Sequence, residues 1–342
     1  MANLEEKLWP REEPGSLSFV IPVHDEEEVL PALRERLVKM GSSLACEIEW
    51  IFVDDGSRDG SLTFLRRWAD SDRRVRILEL ARNFGHQAAV TAGLDHACGE
   101  VVVVMDGDLQ DPPELVLDML ERYREGWDVV YAKRRRREGE SVFKRATAAA
   151  FYWVMRTFIH RELPLNVGDF RLMTRESTDA LGHLREGHRF LRGMVAWLGF
   201  SQTEVLFDRP ARAAGRTKYS ARKMFRFAWD AMLSFSSMPL RLGIYFGAAV
   251  SVFGVVMAGY SIVRKLLGHH LVPGWPTLVI LQCTIGGAIL VTLGLIGEYV
   301  GRIYDELKRR PLYIVRRTYN LRRPQNPDRA VVPSGFEARG ER

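Results

Sequence analysis

Cysteine is scarce in this chain. There are three, Cys46, Cys98 and Cys283, odd in number, far apart and in no CxxC or Cys/His cluster. That excludes a disulfide framework or a zinc site, fits a reducing compartment and leaves the thiols as small buried apolar groups. A secretory leader is missing too. The N-terminal stretch MANLEEKLWPREEPGS is polar, and the first apolar run, Leu17 to Val23, is too short and contains Pro22. The part that carries the chemistry is therefore expected in the cytosol. Absent as well are a GxGxxG dinucleotide fingerprint and a GxxxxGK(S/T) phosphate loop: the first apolar run ends in the acidic Pro-Val-His-Asp-Glu-Glu. An acidic turn cannot cradle phosphates at a helix start, so dehydrogenase and P-loop readings fall away.

What is present divides the chain in two. Its 342 residues carry a net charge of +6, and a mean hydropathy of −0.13 with a pI near 9.3 looks like an ordinary soluble protein. That average hides two uncharged runs, 242–263 of 22 residues and 275–297 of 23. Each can cross about 30 Å of hydrocarbon as a helix. Tyr245, Trp275 and Tyr299 lie near their ends, as expected at membrane interfaces. Arg222, Lys223, Arg226 and Arg241 precede the first run, Arg302, Lys308, Arg309 and Arg310 follow the second, and only Arg264 and Lys265 lie between. This bias places both termini on the cytosolic side of a multi-pass protein. Residues 220–239 space Met224, Phe227, Ala228, Ala231 and Phe235 helically among cations, which reads as an amphipathic helix on the membrane surface. The expected layout is a polar segment 1–16, a cytosolic domain 17–219, the juxtamembrane helix 220–239, the membrane region 240–299 and a basic tail 300–342. The tail from Pro311 is expected to be loosely ordered.

Within 17–132 short apolar runs alternate with helical patterns. Strands are expected at Leu17–Val23, Ile48–Val53, Val75–Leu78, Val101–Met105 and Val129–Ala132. Helices are expected at Glu27–Met40, Ser61–Ala69, Gln87–Ala97 and Pro113–Tyr123. This order predicts an α/β fold with a doubly wound, mainly parallel sheet, whose ligands bind at the carboxyl ends of the strands. The rule singles out His24–Glu26, Asp54–Asp55, Asp106–Asp108 and Lys133–Arg137. Asp106 and Asp108 flank Gly107 after a buried strand, where a bent turn lets two carboxylates hold one Mg²⁺ or Mn²⁺ with open positions for diphosphate oxygens. The Gln110 amide oxygen offers a third ligand. A second DxD, Asp70-Ser71-Asp72, lies in a surface-like loop and lacks that context. Asp55 of Asp54-Asp55-Gly56-Ser57 can accept hydrogen bonds from a base or ribose, while Asp59 or Ser57 can cap the next helix.

Six segments in order, VIPVHDEEE (20–28), VDDGSRDGS (53–61), ARNFGHQAA (81–89), MDGDLQDPPE (105–114), GDFRLM (168–173) and AGRTKY (214–219), resemble family 2 glycosyltransferases that act on polyprenyl phosphates. The likeness is greatest to bacterial bactoprenol (undecaprenyl-phosphate) glucosyltransferases and covers roughly residues 15–318. It departs at His24-Asp25, where relatives usually have Tyr-Asn. The resemblance implies a GT-A-like fold at the cytosolic face of the bacterial inner membrane, with the bilayer and a homotetramer as surroundings. It implies inverting transfer of a sugar from a nucleotide-sugar donor to undecaprenyl phosphate. UDP-glucose is favoured over UDP-N-acetylglucosamine or GDP-mannose. Pro22, Val23, Glu26, Asp55, Arg82 and Asp106 would contact the donor, and Asp106, Asp108 and Gln110 the metal, with Asp108 also counted as catalytic. Asp169 of GDFRLM stands where the family offers a base; because a phosphate monoester is already anionic near neutral pH, orienting the acceptor is the other role open to it.

The run from Lys133 to Arg137 has the look of a nucleic-acid patch, yet it follows a strand at the ligand edge and lacks interleaved aromatics. Acceptor phosphate is the preferred partner for Arg134, Arg135, Arg137 and Lys144, with Arg171, Arg212 and Lys218 as further candidates; no nucleic acid is expected. Lys144 sits on a helix expected over Val142–His160, and Arg212 and Lys218 on a Gly215-containing loop. The eight histidines form no ligand set, and packing or surface exposure is expected for each. A processive polysaccharide synthase would need a QxxRW motif, which His188–Gly193 lacks. A membrane-anchored nucleotide-sugar binding protein without turnover is the non-enzymatic alternative.

Overall fold

The computed structural model describes residues 8–134, 167–187, 189–207 and 274–321, with isolated helical positions between 245 and 267. It divides into two units: a sheet unit that includes the segment from Pro311, and a unit holding residues 219–310. Each is described by itself.

The sheet unit is built on eight strands in the order β7-β5-β6-β4-β1-β2-β3-β8. Strands β1 (Ser16–Val23), β2 (Glu47–Asp54), β3 (Val75–Leu80) and β4 (Val101–Val104) run parallel. Their sequences are near-continuous apolar runs such as VVVV because helices cover both faces. Helices α1 (Leu30–Gly41), α2 (Ser61–Ser71), α3 (His86–His96) and α4 (Leu115–Arg124) alternate with them. Leu30, Leu33, Leu37 and Met40 recur at the helical period and bury one stripe of α1 in a core shared with Phe19, Trp50 and Phe52. Helix α3 lies unusually close to the sheet: a Cβ on Gly93 would fall 2.2 Å from Val20 Cγ1. Glycine is the residue that permits this approach.

Four further strands make the sheet mixed. Strand β6 (Val167–Thr174) enters antiparallel between β4 and β5 (Val129–Arg134), and β7 (Gln202–Phe207) pairs parallel to β5 at the edge. Helices α5 (Arg175–His183) and α6 (Leu191–Trp197) connect β6 to β7. On the opposite edge β8 (Val315–Tyr319) pairs antiparallel with β3. The expectation of a loosely ordered tail is thus corrected for 315–319: Val315 is buried, and Asn320 Nδ2 donates to the carbonyls of Ala69 and Val75 at 2.8 and 3.1 Å.

The second unit contains α7 (Trp275–Leu307), 33 residues long. Its segment Thr284–Leu307 is, among the described residues, the one helix long and apolar enough to cross a membrane. Leu290, Val291 and Leu293 are exposed on it. The expected first span, 242–263, lies mostly outside the described residues, and the helices expected over 220–239 and Val142–His160 lie wholly outside them.

Candidate active site

The carboxyl ends of β1 to β4 gather most of the expected site residues, and the turns there are conformationally demanding. Asp25 and Leu109 both have φ of 55° although neither is glycine. Leu109 directly follows Asp108, so the DxD turn holds a backbone that costs about 1–2 kcal/mol for a residue with a Cβ. Asp108 Oδ1 accepts the N–H of Gln110 at 3.0 Å, folding the turn back on itself. The second DxD is different: Asp70 and Ser71 end α2, and Asp72 grips Arg74 through 2.8–3.2 Å bonds on the opposite edge of the sheet.

Strand β6 brings GDFRLM to this turn. Its register with β4 pairs Val104 with Arg171, and continuing that pairing places Asp169 opposite Asp106. Asp169 is buried and held on both oxygens. Arg171 Nη2 and Arg192 Nε each donate to Oδ1 at 2.9 Å, Arg192 Nη2 reaches Oδ2 at 3.2 Å, and His86 Nε2 stands 3.2 Å from Oδ2. Burial opposes ionisation, but His86, Arg192 and Arg171 together hold this carboxyl well below the usual range. His86 also lies 3.7 Å from Asp106 Oδ1. Burial would lower its pKa, yet Asp169 and Asp106 raise it above the usual histidine value. Burial pushes the Asp106 carboxyl up to about 6, with Asp169, Asp111 and Asp108 adding to the rise and His86 opposing it.

His86 is exposed, as expected, but that expectation missed its charge contacts: it stands 3.2 Å from Asp169 and 3.7 Å from Asp106, between the two central carboxylates. Arg192, on α6, was not anticipated either. The one signal in the sequence was that His86 lies in ARNFGHQAA, a segment of the family resemblance. Arg171 is not placed to reach out: its side chain is 3% exposed, stacked near the Tyr131 ring and committed to Asp169. A direct role in meeting an acceptor phosphate is corrected by that burial.

Asp55 has a local task. Its Oδ1 accepts the N–H of Phe84 at 2.7 Å and its Oδ2 that of Gly85 at 2.9 Å, which shapes the loop leading into His86. Gly56, at φ +70°, packs so closely that a Cβ would meet Asn83 N at 2.8 Å. The same strand ends enclose a cavity of about 600 Å³ whose wall includes His24, Asp54, Arg58, Arg82, Asn83 and Arg316. Arg82 lies over the Phe84 ring at 4.1 Å. Pro22 and Val23 close β1 beside Val53 and Asp54, and the Glu26 N–H donates to Ser61 Oγ at 2.9 Å. The side chain of Arg134, and Arg135, Arg137, Lys144, Arg212 and Lys218 altogether, lie outside the described residues.

The donor set for a divalent ion consists of hard oxygens. Gln110 Oε1 is buried without a hydrogen-bond partner among the described residues. Asp106 is an anion that burial disfavours. Both observations fit a cation bound by Asp106, Asp108 and Gln110, even though no group of three or more His, Cys, Asp or Glu clusters as ligands among the described residues.

A mixed α/β sheet with a buried strand ending in paired carboxylates, and a cavity at the ends of neighbouring strands, defines an α/β ligand-binding fold. Comparison with known proteins is specific. The model "Glycosyl transferase family 2" matches residues 18–182. The glycosyltransferase YkcC of Bacillus subtilis (strain 168) is 44% identical over 304 residues, 89% of this chain and 94% of the relative. The SfII prophage-derived bactoprenol glucosyl transferase of Shigella flexneri is 36% identical over 303 residues, 89% and 98% of the two chains. A solved structure of glucosyl-3-phosphoglycerate synthase from Mycobacterium tuberculosis is more distant, at 17% identity and a TM-score of 0.42, covering 64% of this chain and 77% of that one. The chain belongs to glycosyl transferase family 2.

Proposed function

We propose that this protein transfers a sugar, glucose from UDP-glucose, to undecaprenyl phosphate at the cytosolic face of the membrane, with inversion at the anomeric carbon. The observation that carries the reading is the 36% identity to a bactoprenol glucosyl transferase over nearly the whole of both chains, joined to a carboxylate turn and a cavity of about 600 Å³ at the carboxyl ends of one sheet. The exposed apolar stretch of α7, with a companion span at 242–263, anchors the enzyme beside its lipid acceptor.

In this reading the residues divide the work. Pro22, Val23, Glu26 and Arg82 frame the nucleotide, and Asp55 supports that site by holding the loop at Phe84 and Gly85. Asp106, Asp108 and Gln110 hold Mg²⁺ or Mn²⁺, which when bound neutralises charge developing on the departing diphosphate. Asp169 orients the site: its ionised carboxylate fixes Arg171, Arg192 and His86. Such a depressed pKa makes it a weak proton acceptor, and the acceptor phosphate already carries negative charge near neutral pH. Cations among Arg134, Arg135, Arg137, Lys144, Arg212 and Lys218 meet the lipid phosphate.

The test is the purified full-length protein with Mg²⁺ or Mn²⁺, undecaprenyl phosphate, and UDP-glucose, UDP-N-acetylglucosamine or GDP-mannose in turn. A lipid-extractable glucosyl phosphate with inverted anomeric configuration is expected from UDP-glucose. Absence of lipid-linked sugar from every donor refutes the reading, and donor binding without consumption would assign the chain to the non-catalytic alternative.

A further inference from the structure

Strand β8 follows α7 after a short connection, yet it is an edge strand of the sheet that carries the site. Its pairing with β3 slips by one residue: Leu80 faces Val315, but Glu79 faces Arg317. Arg316 is the extra residue in that step, the position of a β-bulge. Bulges redirect a side chain and are frequent beside active sites. Here the effect is visible, because Arg316 lines the 600 Å³ cavity together with Arg58 and Arg82 from the ends of β2 and β3. The bulge is pinned at its base, since Ala81 N–H donates to the Ile314 carbonyl at 2.9 Å.

Arg316 makes only a long ion pair with its neighbour Glu79. Glu79 is buried, and its Oε2 accepts from Arg66 Nη2 at 2.8 Å. Arg316 Nη1 stays 3.7 Å from Glu79 Oε1, outside hydrogen-bond reach, and its side chain is 63% exposed. Arg58 and Arg82 are exposed as well, so three guanidiniums from three separate segments stand around one concave space; the carboxylates that share its wall already accept other donors, Asp25 from the Arg58 N–H, Asp54 from the Ser57 N–H and Glu79 from Arg66. Guanidiniums grouped in this way match the oxygens of an anionic ligand through charge-assisted bonds.

We propose that Arg316 is a donor-binding residue that contacts the nucleoside diphosphate, so that the segment after α7 forms part of the nucleotide pocket. This rests on the nucleotide-sugar reading above. It also means that the donor site is completed only after the chain has passed through α7.

The experiment measures UDP and GDP binding by calorimetry on the full-length protein, wild type against Arg316→Ala, Arg316→Lys and Arg317→Ala. Arg317 is the neighbouring exposed cation, paired in register with Glu79. Arg316→Ala is expected to weaken binding of the preferred nucleotide about 10-fold, with Arg316→Lys between it and wild type, and Arg317→Ala within about 2-fold of wild type. Unchanged affinity in Arg316→Ala overturns the proposal. So does an equal loss in Arg316→Ala and Arg317→Ala, which would mean that the strand has merely loosened. If wild type binds neither UDP nor GDP, the nucleotide-sugar reading itself fails and this proposal falls with it, a result distinguishable from failure of Arg316 alone.

Discussion

Replacing Asp169 by Asn separates positioning from proton transfer. The substitution keeps the shape but removes the anion shared by Arg171, Arg192 and His86. Arg171, at 3% exposure, is then a buried cation without its partner, whereas Arg192 is 36% exposed and regains water. Breaking a buried pair from one side costs about 3–5 kcal/mol. With Arg192 largely compensated by solvent, the lower end applies, and a fall in the unfolding midpoint of roughly 5–10 °C is expected. The kinetic effect should be smaller than loss of a base would give. A carboxylate held well below the usual range accepts protons poorly, and the acceptor phosphate has no proton that must leave. Turnover with saturating UDP-glucose and undecaprenyl phosphate should drop about 10-fold, below the variant's melting temperature. Asp169→Glu, which keeps the charge, should recover much of the midpoint. A loss of turnover beyond about 1000-fold, in protein that still melts cooperatively and binds nucleotide, would refute the positioning argument and make Asp169 the base.

Three other outcomes are expected. Asp106→Asn and Asp108→Asn should each lower turnover at least about 100-fold, and chelation should abolish wild-type turnover until Mn²⁺ or Mg²⁺ is restored; full activity in chelator would exclude the metal role. Gly56→Ala puts a Cβ 2.8 Å from Asn83 N at a φ of +70°, so a destabilisation of at least about 1–2 kcal/mol and a raised donor KM should appear in melting and steady-state assays. His96 is buried, with Nδ1 2.8 Å from the Ala92 carbonyl oxygen, and burial lowers its pKa. The unfolded chain then takes up the proton more readily, so the His96 contribution is complete above a pH of about 6.5 and is lost as pH falls below that value. Melting between pH 8 and 5 should show a shallower acid decline in His96→Leu than in wild type; equal slopes would contradict the assignment.

The parallel half of the sheet was legible because its strands are apolar runs closed by polar turns, and Asp106 and Asp108 were legible because they directly follow one of them. Strand β6 was not. Its sequence VGDFRLMT places Asp169 and Arg171 inside the protein, where each neutralises the other, so the continuous apolar run that marks a fully buried strand is broken by charge. Strand β8 was missed for a related reason: VRRTY has two arginines in five residues and reads as a solvated tail, whereas it lies on the sheet edge with Val315 inward. The role of His86 could not be read locally, since its nearness to Asp169 arises only when β6 inserts antiparallel beside β4. The sequence suggested the half of the site built from consecutive strand ends and concealed the half that tertiary pairing creates.

That concealed half changes the electrostatic picture of the site. Asp169 with Arg171 and Arg192 carries one net positive charge, two guanidiniums against one carboxylate, and His86 beside them has a raised pKa. Across from them Asp106, Asp108 and Asp111 form an acidic side, on which the Asp106 carboxyl is driven up to about 6. Under the proposed reading the two sides suit two different anions. A diphosphate can approach the acidic side only in company with a cation, because carboxylates alone would repel it. A lipid phosphate carries no such cation and is better met by the guanidinium side, through the half-buried Arg192 rather than the buried Arg171. Asp169 is then what keeps that side ordered, because it holds close together two guanidiniums that would otherwise repel each other.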